Sequence, residues 1–125
     1  MDTRNKILTL EAALRLPAGS LSLVTGAFDL LTAAHARDVA AFRARVSGPV
    51  LAVVLAGDSG LLPQRARAEL VAGLRAVDYV VAASREDVER LLATLRPAAV
   101  ERLEEADARR AEELAELVRR RQESC

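Results

Sequence analysis

The spacing of apolar residues changes several times along this chain, and each change marks an element. LTLEAALRL (8–16) places apolar residues at helical intervals and predicts a short amphipathic helix, closed by Pro17, Ala18 and Gly19. SLSLVT (20–25) is short and mostly apolar, and predicts a strand. In AAHARDVAAFRARV (33–46), Val39, Phe42 and Val46 recur at spacings of three and four, which predicts a helix with one face turned inward. Ser47-Gly48-Pro49 stops it. PVLAVVLA (49–56) is a continuous apolar run between turn signals, the pattern of a strand buried on both faces. Gly57-Asp58-Ser59-Gly60 reads as a loop, and Pro63 opens a helix predicted to reach about Ala76. DYVVAA (78–83) is a third strand, and Ser84 is an N-cap for REDVERLLATL with Asp87 in the capping-box position. Residues 97–100 predict a short fourth strand, and from Glu101 onward the chain reads as a highly charged helix.

Strands and helices in alternation predict an α/β fold of βαβ units, a parallel sheet flanked by helices. Ligands of such sheets sit beyond the carboxyl ends of the strands. The segment VTGAFDLLTAAH (24–35) falls at that edge.

Composition narrows the picture. At 125 residues and 51% apolar, the chain fits one domain with a real core. Aromatics make up only 2%, so Leu, Val and Ala must build that core. Eighteen basic and eighteen acidic residues cancel, leaving no basic footprint for nucleic acid. Lys6 is the only lysine; Cys125 is the only cysteine, so no intrachain disulfide can form. The amino-terminal stretch has no signal-peptide pattern, and no apolar run approaches the roughly 18 residues of a membrane span. The expectation is a cytoplasmic domain with no membrane segment.

Segment 24–35 offers the parts of a phosphate site. Gly26 permits close backbone approach, and a helix starting near Ala33 aims its unpaired N–H groups and positive dipole end at the loop. Thr32 supplies a hydroxyl, and His35, the only histidine, stands in the first helical turn. An imidazole over an anion would stabilise charge developing on phosphate oxygens. The plainer alternative is that Thr32 caps the helix, His35 lies on the surface and Gly26 only turns the chain.

GAFDLLTAAH also resembles the GxFD…(H/T)xGH signature of the nucleotidylyltransferase superfamily, with Gly26, Phe28 and Asp29 in its first half and Thr32 and His35 in its second. KILTLEAAL (6–14), PQRARAELVAGLRAVDYVV (63–81) and LLATLRP (91–97) are similar to flanking segments of its heptose-phosphate adenylyltransferase and glycerol-phosphate cytidylyltransferase members. The resemblance covers roughly residues 6–98 and implies a Rossmann-like nucleotidylyltransferase fold. It implies an enzyme that moves a nucleotidyl group from ATP or CTP to a phosphorylated sugar or polyol and releases pyrophosphate, with Mg²⁺ as cofactor. His35 would contact phosphate oxygens in the transition state, Thr32 would bond a reacting phosphate, and Gly26, Ala27, Phe28, Asp29 and Ala34 would line the nucleotide. Arg67, and Arg65 beside it, would bind phosphate or acceptor; Asp29 and Asp78 serve equally well in loop and helix-end hydrogen bonds.

The chain departs from the family pattern in three places. Ala34 replaces the glycine before the signature histidine. No lysine is placed for the triphosphate, a role left to Arg65, Arg67 or an arginine of 37–45. The Ser/Thr-rich C-terminal motif is missing, and ERLEEADARRAEELAELVRRRQESC stands there instead. The expected organisation is therefore an α/β domain over 1–100 and a charged helix over 101–125. That helix either packs on its own domain or serves a homo-oligomer or another partner. The departures leave a second reading beside the enzyme: a catalytically degenerate nucleotide-binding or regulatory protein of the same fold.

Overall fold

The computed structural model describes residues 3–28, 33–56 and 63–123. A 3₁₀ turn (Thr3–Lys6) leads into strand β1 (Ile7–Leu8), helix α1 (Leu10–Leu14), β2 (Ser22–Gly26), α2 (Ala33–Arg45), β3 (Val50–Leu55), α3 (Gln64–Ala72), β4 (Tyr79–Ala83), α4 (Arg85–Leu95), β5 (Val100–Arg102) and α5 (Leu103–Glu123). The five strands form one all-parallel sheet in the order β1-β4-β3-β2-β5. This is a Rossmann-like α/β arrangement, as the alternation of elements predicts.

Side-chain alternation divides the core into two layers. Val24, Val50, Ala52, Val54 and Val80 face α2 and α3, where they meet Val39, Phe42, Ala68 and Val71. Leu23, Leu51, Val53, Val81 and Ala83 face α1 and α4, against Ala13, Val88, Leu91 and Leu95. β3, the continuous apolar run, is buried at every position because both faces are covered.

Local signals set most boundaries. Ser84 Oγ accepts the Asp87 N–H at 3.2 Å while the Asp87 carboxylate accepts the Ser84 N–H, the capping box expected for α4. Thr9 caps α1 by accepting the Ala12 N–H. Gly48 turns the chain into β3 at φ +82°, and a Cβ there would stand 2.5 Å from the Ser20 carbonyl oxygen.

Other features depart from the expectations. α3 ends at Ala72 rather than near Ala76, because Gly73 closes it, its N–H bonding to the Leu70 carbonyl. The last strand is Val100–Arg102, three residues beyond the predicted start of 97, and β1 precedes α1 unpredicted. In α5, every side chain from Glu112 to Glu123 is exposed, so this half of the helix does not pack on its own domain.

Candidate functional site at the carboxyl edge of the sheet

β2 is the point where the winding of the sheet reverses. β3 and β4 lie on one side of it and β5 on the other. A crevice at the carboxyl ends of β2 and β5 is where this architecture binds ligands. Gly26 ends β2 there, followed by Ala27 and Phe28. Phe28 has φ +53° and is nevertheless buried, its ring folded back over Gly26. A Cβ on Gly26 would lie 3.0 Å from the Phe28 ring, so any larger residue here would make the ring give by a few tenths of an ångström. Left-handed backbone costs a bulky residue about 1–2 kcal/mol, which burial of an aromatic side chain outweighs.

His35 stands in the first turn of α2, half-buried, with its ring 6.2 Å from that of Phe28 and tilted by 58°. Ala34, also half-buried, precedes it. Gly26, Ala27, Phe28, Ala34 and His35 are thus gathered at the carboxyl end of β2. Asp29 and Thr32 lie outside the described residues.

Arg67 belongs to the same edge. It is 2% exposed, and its Nη1 donates to the Ala27 carbonyl at 2.6 Å and the Leu55 carbonyl at 2.8 Å. The guanidinium thereby ties the turn after β2 to the end of β3. Gln64, one turn earlier, extends the brace: its Nε2 donates to Val54 at 3.0 Å and Ala83 at 3.4 Å. Arg65 is exposed and paired with Glu69 at 3.3 Å.

No model of a known protein family matches the chain, and no curated protein matches its sequence.

Arg43, Arg45 and Lys6 are at the opposite rim. Arg43 bonds to Asp78, whose carboxylate also accepts the Val50 N–H at 2.8 Å. Arg45 reaches Glu101 at 3.4 Å. Lys6 donates to the Leu74 carbonyl at 3.1 Å. Since α2 runs antiparallel to the strands, Arg43 and Arg45 sit at the amino edge. There they, Asp78 and Lys6 fasten the structure together.

The sequence reading passed over one further pair. Thr25 is 1% exposed, and its hydroxyl lies 2.7 and 3.0 Å from the two carboxylate oxygens of Glu104. Glu104 is in the first turn of α5, directly after β5, where the positive end of the helix dipole favours a carboxylate. The two residues border a pocket of about 90 Å³ that Arg85 and Arg102 also line. That volume is below the roughly 300 Å³ at which small-molecule sites begin.

Proposed function

We propose that this chain is a nucleotidylyltransferase-like protein. It would bind the phosphates of ATP or CTP at the carboxyl edge of β2 and pass the nucleotidyl group to a phosphorylated sugar or polyol. The observation that carries this reading is the meeting of the Gly26–Phe28 turn with the amino end of α2, His35 in its first turn, where the winding of the sheet reverses. The N–H groups at that helix end are donors for an anion, and the imidazole adds a further polar group beside it.

In the reaction, an oxygen of the acceptor phosphate bonds to the α-phosphorus as the bond to the bridging oxygen breaks, and pyrophosphate leaves with that electron pair. The chain contributes position and charge stabilisation. Arg67 holds the loop backbone through Ala27, a positioning role supported by its burial. Mg²⁺ would be held chiefly by the phosphates, as such ions commonly are. Among the described residues no three His, Cys, Asp or Glu side chains group as a metal site. No described helix is long and apolar enough to cross a membrane, and the reading places the reaction in the cytoplasm.

Glu104 favours a second reading, nucleotide binding without turnover. A carboxylate already stands at the head of α5, beside the crevice where the resemblance calls for hydroxyls to grip a triphosphate. Calorimetric titration with Mg-ATP and Mg-CTP separates the readings when paired with pyrophosphate release over a panel of sugar and polyol phosphates. The enzyme reading expects micromolar binding of one nucleotide and release that falls by about 10²-fold or more in His35→Ala. Binding without release selects the second reading. Binding of neither nucleotide overturns both.

A further inference from the structure

The distal half of α5 carries an uncovered apolar seam. Leu114, Leu117 and Val118 are 62%, 46% and 46% exposed, and their spacing of three and four puts them on one face. We propose that this seam pairs with the same seam of a second copy of the chain, the two helices lying antiparallel about a two-fold axis near residue 116.

The charges beside the seam select both the partner and the direction. At about 100° per residue, Glu113 and Arg120 fall on one flank of the seam and the uncharged Ala115 and Gln122 on the other. Antiparallel helices bring like flank to like flank. Glu113 of each copy then faces Arg120 of the other, and the symmetry forms the pair twice. Parallel helices would set the charged flank against the uncharged one and form neither pair. The acidic Glu112, Glu113 and Glu116 precede the basic Arg119, Arg120 and Arg121, so antiparallel alignment also opposes the two blocks of charge.

Existing contacts do not stand in the way. Arg120 has an ion pair with Glu116 of its own helix at 3.4 Å, but its side chain is 73% exposed, and such surface pairs exchange readily. Arg121 stands on the line of the seam and ends it toward the carboxyl end of the helix, leaving three exposed apolar residues in it. The contact is therefore short, well below the size of a permanent dimer interface, and the association is weak and reversible.

Sedimentation of the full chain from micromolar to near-millimolar concentration tests this directly. A monomer–dimer equilibrium is expected at low salt. Leu117→Lys should raise its dissociation constant by at least tenfold. Glu113→Arg alone and Arg120→Glu alone should each raise it by about tenfold through two new like-charge contacts, and E113R/R120E together should restore it. All of these positions are exposed, so each variant should keep its helix content by circular dichroism. A monomer throughout the range overturns the proposal. So does a dimer indifferent to Leu117→Lys, or a double variant no tighter than the singles.

Discussion

A single guanidinium holds the turn that presents the candidate site. Replacing Arg67 with Leu would keep much of the volume but leave the Ala27 and Leu55 carbonyls without their donor. Each lost bond to a buried group costs about 1–3 kcal/mol. Arg67→Leu should therefore lower stability by about 3 kcal/mol, read as a lower urea midpoint at unchanged slope. If Arg67 mainly contacted ligand, the same variant would lose affinity with little change in midpoint. Sequence reading could not make this distinction. An arginine on an alanine-rich helix looks solvated, and its burial depends on carbonyls 12 and 40 positions away in the chain. Gly26 and His35 were legible because the loop and helix start that place them are local; Thr25 and Glu104, 79 positions apart, were not.

Among the elements, those with strong local signals appear where the pattern predicts them. The uninterrupted apolar run became the fully buried β3, and Ser84 with Asp87 forms the box that starts α4. Ser84→Ala should cost about 1 kcal/mol, measured as a shift of the urea midpoint, because the Asp87 N–H loses its acceptor. β1 was invisible for a physical reason. It has two residues, too few to show an alternation of period two, and it runs directly into helical spacing at Thr9. β5 is only one residue longer, and its pairing with Leu23, Val24 and Thr25 fixes it, a contact that no local pattern records.

For the whole molecule, the sheet offers two helix ends where its winding reverses, and they differ in charge. The head of α2 carries His35 as its only titratable side chain in the first turn, whereas the head of α5 carries Glu104, held by Thr25. A triphosphate spanning both ends would meet that carboxylate at close range. Glu104→Gln keeps an oxygen to accept the Thr25 hydroxyl and removes the negative charge. If the phosphates extend toward β5, the variant should bind Mg-nucleotide more tightly by about 1 kcal/mol, or fivefold, at low ionic strength, with the gain shrinking as salt is added. Calorimetry on the two proteins measures the difference. Equal affinities would confine the phosphates to the α2 end, and Glu104 would then act only as a tie between β2 and α5. That outcome would also explain how the chain can do without a Ser/Thr-rich start to its last helix: no phosphate would reach there.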